Sequence, residues 1–177
     1  MPAAIRIEAD ALIDFPRDLV FRTYRDELPQ IVEGLPRVKE IMVEERQEEG
    51  GVTHIKNLWR GSAQVPASAA KVLPPMVSWH DHARWDQGRY QCDWSIDSHV
   101  FPEAVRCTGE NRFVDLGGKC RVEIRGEIRI DLSKVAKVPD LVASPIATAV
   151  ERFLVRQITP NLLAVSEALS EHLAAKG

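Results

Sequence analysis

A chain of 177 residues with 45% hydrophobic and 28% charged residues is typical of a single globular domain that buries a substantial core. Its net charge of −3 argues against nucleic acid as a partner, which normally requires a basic surface. We expect no signal peptide, because the N-terminus is charged from Arg6 onward and lacks an apolar core. We also expect no membrane span, because no stretch reaches ~18 apolar residues. The cysteines Cys92, Cys107 and Cys120 are widely spaced and form no CxxC pair, which favours a reduced, cytoplasmic setting.

Alternation of apolar and polar residues predicts seven strands. They span residues 3–13, 38–48, 52–60, 76–86, 89–98, 103–115 and 119–132. Short turns connect most of these strands, which indicates consecutive hairpins and therefore an antiparallel sheet. In the last strand Val122, Ile124 and Ile128 share one face, while charged residues of alternating sign occupy the other. One face of the sheet should therefore be buried and the other solvated.

Helical patterns complete the α+β organisation. Residues 16–35 contain apolar positions broken by prolines and predict two short helices between the first two strands. Over residues 145–175 apolar side chains recur at three- and four-residue steps, which predicts a helix about 45 Å long. Ser144 and Pro145 suit its N-cap and first position, and Pro160 predicts a kink. No other predicted element is large enough to cover the apolar face of the sheet.

This order of elements resembles the START-like superfamily, also called SRPBCC or helix-grip, which includes polyketide cyclases/aromatases and birch-pollen-allergen-like proteins. The resemblance covers essentially the whole chain and rests on topology. It is carried by the N-terminal strand with FPRDLVFRTYRD, then by LPPMVSWHDHARWD, RVEIRGEIRIDL and ITPNLLAVSEALSEHL. It implies a curved seven-stranded sheet that grips the long helix, with a cavity for a hydrophobic molecule between them. Members bind lipids, sterols, polyketides, quinones or plant hormones, and a minority are enzymes.

The segment 77–87, VSWHDHARWDQ, raises the possibility of a metal site. On a strand, His80 and His82 point one way, and Asp81 points the other way between two tryptophans. We expect the aromatic side to face inward and the histidines to be solvated. A metal site would need a third ligand in the right place, so we predict neither a metal nor a cofactor.

The same alternation places polar and aromatic side chains on the inner face, as expected for a mostly apolar pocket with a few placed polar groups. The predicted ligand-binding residues are Asn57, Trp59, Trp79, Asp81, Trp85, Tyr90, Trp94, Asn111, Phe113, Phe153 and Gln157. Asp81 is the one catalytic candidate. It is either a structural hydrogen-bond acceptor or a functional group, because a buried carboxylate is costly unless paired. Gly126, in the middle of a strand, either bends the sheet or makes room for a ligand or the helix.

Three functions are consistent with these features. The first is binding or carriage of a hydrophobic small molecule, such as a lipid, polyketide or quinone-like compound. The second is a cyclase, aromatase or dehydratase in which Asp81, Tyr90 and Asn111 move protons. The third is a non-catalytic protein-interaction module. A closed apolar cavity would favour the binding protein. A cavity that opens beside a carboxylate of raised pKa would favour the enzyme, and a filled core would favour the interaction module. The oligomeric state is left open.

Overall fold

A computed structural model gives the fold of the chain. It describes residues 3–33, 35–62, 65, 67, 75–134 and 147–177, apart from the side chains at 3, 147, 150, 151, 154 and 157–162. The elements in chain order are β1 Ala3–Ile13, α1 Arg17–Asp26, α2 Leu28–Ile31, β2 Val38–Glu49, β3 Val52–Ser62, β4 Met76–Asp86, β5 Gln91–Ser98, β6 Val105–Asp115, β7 Cys120–Ile130 and α3 Ala147–Lys176. None of the helices described combines the length and apolar character that crossing a membrane demands.

The strands form one seven-stranded sheet in the order β1-β7-β6-β5-β4-β3-β2, and every neighbouring pair is antiparallel. The predicted antiparallel architecture is therefore confirmed. Consecutive hairpins build β2 to β7, and β1 closes against β7, so β1 and β2 are the edge strands. Gly50 and Gly51 form the first hairpin turn at φ 60° and 80°, a left-handed conformation that glycine adopts without strain.

Six strand ends differ from the predicted bounds by one or two residues, and three of them have a clear local reason. Strand β5 begins at Gln91 because Tyr90 has a φ of 48° and belongs to the preceding turn. Strand β6 begins at Val105 because Phe101, with a φ of 54°, turns the chain before it. Strand β7 ends at Ile130 and is followed by a short 3-10 turn. The left-handed conformations of Tyr90 and Phe101 are rare for residues other than glycine, and the alternation of residue types does not reveal them.

The inner face of the sheet carries the core. Val122, Ile124 and Ile128 of β7 are fully buried, as their alternation predicts. Helix α3 covers this face and buries Phe153 and Leu169 against it. Burying side chains of this size stabilises the fold by about 1.5–3 kcal/mol each, so the contact between helix and sheet is a main source of stability.

Helix α3 forms a single element of 30 residues. Its predicted start at Ser144 and Pro145 lies outside the described residues. Pro160 lies within the helix, and the kink stays a prediction. At the other end, the Glu27 carboxylate accepts hydrogen bonds from His172 Nε2 at 3.2 Å and from the Lys176 ammonium group. These contacts tie the last turns of α3 to the junction of α1 and α2.

Candidate functional site

A cavity of about 130 Å³ lies between the inner face of the sheet, helices α1 and α2, and helix α3. Val43 and Arg46 of β2 line it and are also exposed, so the cavity opens to solvent between β2 and the short helices. Most of the predicted ligand-binding residues line it: Asn57, Trp59, Trp79, Asp81, Trp85, Trp94, Asn111 and Phe153. They come from β3, β4, β5, β6 and α3, which shows how widely the site is distributed along the chain.

Two predicted residues lie elsewhere. Tyr90 does not border the cavity: its hydroxyl donates to Asp18 at 3.2 Å, and Arg17 lies 3.9 Å from its ring centre. Its left-handed backbone takes it out of the strand whose alternation predicts an inward position for it. Phe113 packs into an aromatic cluster, 5.2 Å from the Phe21 ring centre, and belongs to the core beneath α1. The side chain of Gln157 lies outside the described residues.

The centre of the site is the carboxylate of Asp81. Strands β3 and β4 pair so that Asn57 lies opposite Asp81 and Trp59 opposite Trp79. Trp59 Nε1 donates to Asp81 Oδ2 at 2.5 Å, whereas Asn57 Nδ2 lies at 3.4 Å from both carboxylate oxygens. The two indoles are stacked, with ring centres 5.6 Å apart and planes 12° apart. Strand register thus assembles a carboxylate, an amide and a flat aromatic wall from neighbouring residues.

Asp81 lies deep in the protein but remains partly accessible, because it borders the cavity. Burial raises the pKa of Asp81 to about 6, although hydrogen bonds from Trp59 and Asn57 and the nearby His82 and His80 act in the opposite direction. Loss of hydration is therefore the larger effect. The carboxyl group exchanges its proton close to neutral pH, where a general base or acid is most effective.

Other titratable groups in the wall are kept neutral. Burial raises the pKa of the Tyr24 hydroxyl well above its usual value, and electrostatic interaction with Cys92 and Asp81 raises it further. Burial likewise raises the pKa of the Cys92 thiol, with Asp81 and Asp93 adding to the effect. A neutral thiol is a poor nucleophile, so the geometry offers acid–base chemistry at Asp81 and no activated cysteine at Cys92.

A charged network that the sequence did not reveal lies at the opening. Arg25 of α1 makes two hydrogen bonds to Asp26, at 2.8 and 2.9 Å, and a third to Gln87 at 3.1 Å. Arg46 of β2 also donates to Asp26, at 2.9 Å. The hydrogen bond from Arg25 is the largest cause of a lowered pKa at Asp26, and the bond from Arg46 lowers it further. The bonds of Arg25 to Gln87 and of Arg46 to Asp26 join elements distant in sequence, so no local pattern could have indicated these two.

A pair of glycines explains how Trp94 fits into the wall. Gly109 and Gly126 face each other across β6 and β7. A Cβ atom at Gly109 would lie 2.4 Å from Cζ2 of Trp94, and one at Gly126 would lie 3.0 Å from Cη2 of the same ring. The room left at Gly126 is therefore taken by an indole, and not by a ligand or by α3. Trp94 Nε1 in turn donates to Asn111 Oδ1 at 2.9 Å.

The histidines of β4 lie on the outer face. His80 Nε2 contacts Glu44 Oε2 at 3.0 Å, and its Nδ1 contacts His99 Nε2 at 2.8 Å. His99 Nδ1 completes this chain at Ser78 Oγ, 2.7 Å away. Within the part of the chain that the structure describes, no group of three or more His, Cys, Asp or Glu side chains is arranged to hold a metal ion.

Comparison with known proteins places this geometry in a fold class. No protein-family profile matches the sequence, and no curated protein matches it. Among solved structures, the ZhuI aromatase/cyclase from Streptomyces sp. R1128 is similar at a TM-score of 0.66 and 16% identity, over 99% of both chains. A Thermus thermophilus protein has a TM-score of 0.65 and 18% sequence identity, over 98% of this chain and 100% of its own chain. Norcoclaurine synthase from Thalictrum flavum has a TM-score of 0.59 and 14% sequence identity, over 98% of this chain and 88% of its own chain.

These likenesses extend over nearly the whole chain at low identity, and they show the fold. The chain has the START-like, helix-grip fold, as the order of its elements predicts. Structures that share it include aromatase/cyclases and the protein Ara h 8.0201.

Proposed function

We propose that the protein binds a hydrophobic small molecule in the cavity between the sheet and α3. The observation that carries this proposal is that all four tryptophans of the chain, Trp59, Trp79, Trp85 and Trp94, line one cavity. Small-molecule sites are typically apolar, with a few placed polar groups, and Asn57 supplies one such group here. Structures of the same fold include aromatase/cyclases, which supports a small-molecule site without naming a ligand.

The size of the cavity restricts the ligand. A volume of about 130 Å³ is close to the ~150 Å³ of an engineered protein cavity that takes up benzene. The ligand, or the part of it that enters, therefore has roughly the size of one aromatic ring. A lipid or an extended polyketide would have to leave the rest of its length at the opening beside β2.

Calorimetric titration with toluene tests the proposal. We expect saturable binding, and we expect Ala83→Leu to weaken it by at least about tenfold, equivalent to ~1.4 kcal/mol. Ala83 is only 9% exposed and lines the cavity, so a larger apolar side chain there occupies the space of the ligand. Binding that survives this substitution unchanged would place the ligand elsewhere.

An acid–base enzyme is a second candidate, favoured by the raised pKa of Asp81, about 6, beside an open cavity. Asp81 would act as the base in a cyclisation or dehydration. Of the other two residues that the sequence suggests for this role, Tyr90 lies outside the cavity lining, and Asn111 already accepts a hydrogen bond from Trp94. The interaction-module alternative predicts a filled core, so the cavity counts against it.

Proton exchange separates the enzyme from the carrier. If Asp81 is a base, the protein should speed deuterium exchange at the methyl group of acetophenone in deuterium oxide, with a rate that rises through pH 6 as the carboxyl ionises. Asp81→Asn should abolish this exchange and retain toluene binding. Binding without any exchange in the unaltered protein would favour the carrier.

We also propose a cytoplasmic setting. Its support is that Cys92, Cys107 and Cys120 are all unpaired and buried, which is the usual state of cysteines in a reducing compartment.

A further inference from the structure

The carboxylate of Asp81 accepts fewer hydrogen bonds than its position requires. Among the described residues, Oδ2 has one short bond, from Trp59, whereas Oδ1 has only the 3.4 Å contact with Asn57 Nδ2. Bonds to an ionised oxygen are ordinarily about 2.7–2.9 Å long. Because Asp81 borders the cavity, a donor placed there could complete its set of bonds.

A second acceptor with the same deficit lies directly across the strand pair. Asn57 is 3% exposed, and its Oδ1 is buried without any hydrogen-bond partner among the described residues. Buried amide oxygens are almost always paired. Asn57 lines the cavity and faces Asp81 in the β3–β4 register, so the two residues with an unfilled acceptor are neighbours on the cavity wall.

The walls around these acceptors are aromatic, and the charges of the lining as a whole balance. Trp59 and Trp79 stack beside Asp81, which suits a flat ring. The charged residues described in the lining are Arg25, Asp26, Arg46 and Asp81, two of each sign. A lining with no excess of negative charge gives a cation no net attraction to offset the loss of its hydration.

We infer that the cavity selects a compact, neutral aromatic molecule that carries a hydroxyl or N–H donor, and that Asp81 and Asn57 receive this donor. The inference rests on the proposed function of the cavity as a binding site and adds the chemical class of the ligand. An apolar ring of the same size would fill the cavity and leave Oδ1 of Asp81 and Oδ1 of Asn57 without a close donor. Donor-bearing ligands should therefore be preferred to their isosteres.

Four probes of similar size test this by calorimetric titration. Phenol can donate, anisole can only accept, toluene can do neither, and benzylamine is a cation. We expect phenol to bind at least about tenfold more tightly than toluene, which corresponds to ~1.4 kcal/mol, and more tightly than anisole and benzylamine. Asp81→Leu should reduce the preference for phenol over toluene to near unity while toluene still binds.

The control is Thr53→Val, which also replaces a buried polar group on the inner face of β3 but lies outside the cavity lining. It should leave the preference for phenol intact. If Asp81→Leu does not fold, Asn57→Leu removes the other acceptor and should also lower the preference. The comparison of the four probes on the unaltered protein requires no variant.

The outcomes separate this inference from the proposed function. Equal affinity for phenol and toluene would overturn the inference and leave the function standing. If anisole or benzylamine binds more tightly than phenol, the inference that the cavity selects a neutral hydrogen-bond donor is wrong. Failure of all four probes to bind would overturn both.

Discussion

Asp81 shows two opposing effects acting on a single side chain. Donors from Trp59 and Asn57 stabilise its ionised form, yet burial outweighs them and the pKa rises from 3.8 to about 6. The residue therefore lowers stability at neutral pH while providing a group that can bind or exchange protons. Costs of this kind are common at functional sites, where a strained or desolvated group is retained for its chemistry.

The raised pKa predicts how stability depends on pH. Below pH 3.8 both the folded and the unfolded chain hold the proton, and the stabilisation from a neutral Asp81 is complete. Between pH 3.8 and about 6 only the unfolded chain has released it, so the free energy of unfolding falls as the pH rises, and above about 6 the stabilisation is lost. The total is at most about 3 kcal/mol, at ~1.36 kcal/mol per pH unit.

Urea denaturation from pH 4 to 7 measures this fall. We expect Asp81→Asn to remove it, so that the variant gains stability relative to the unaltered protein as the pH rises through this range. Asp14→Asn is the control, because the Asp14 side chain is 79% exposed. Parallel pH profiles for the unaltered protein and Asp81→Asn would show that Asp81 is not desolvated.

At the scale of elements, strands β6 and β7 are shaped around the indole of Trp94. Because the facing residues Gly109 and Gly126 have no side chains, the inner surface of the sheet has a depression there, and the Trp94 ring lies in it. A side chain at either of these two glycines would press against the Trp94 ring, which lines the cavity. Glycine in a strand interior is ordinarily destabilising, so its presence at both facing positions indicates a packing requirement.

Replacing Gly109 by alanine tests this arrangement. The new Cβ would lie 2.4 Å from the Trp94 ring and 2.5 Å from the carbonyl oxygen of Arg125, and we expect a loss of about 1–3 kcal/mol in the free energy of unfolding, typical of overpacking. Denaturant titration measures it. Gly88→Ala is the matched control, since the nearest atom to its Cβ would be Asp86 Oδ1 at 3.5 Å. Equal effects of the two substitutions would contradict the packing argument.

At the scale of the whole molecule, the cavity exists because α3, the short helices and the sheet do not close completely on one another. The strands themselves are predictable, since alternation is a local property: β1 and β4 have the predicted bounds Ala3–Ile13 and Met76–Asp86. Most of the site follows from the same alternation, because an inward position on a strand such as that of Asp81 is fixed by its neighbours.

What could not be predicted depends on distances between elements. The facing of Gly109 and Gly126 requires the register of two strands, and the contact of Arg46 with Asp26 requires the placement of β2 against α1. Tyr90 lies before β5, the strand predicted to contain it, because its own backbone is left-handed, which the alternation of residue types does not encode. The volume of the cavity depends on how far α3 stands from the sheet, a distance that side-chain periodicity does not encode.

The placement of the tryptophans has an optical consequence. All four indoles of the chain border the same cavity, so the tryptophan fluorescence of the folded protein is emitted from the walls of that single space, without a background from indoles elsewhere. A molecule that enters changes the surroundings of every emitter at once and displaces any water that was in contact with them. The emission spectrum therefore reports occupancy without a label, and the protein serves as its own sensor for whatever it binds.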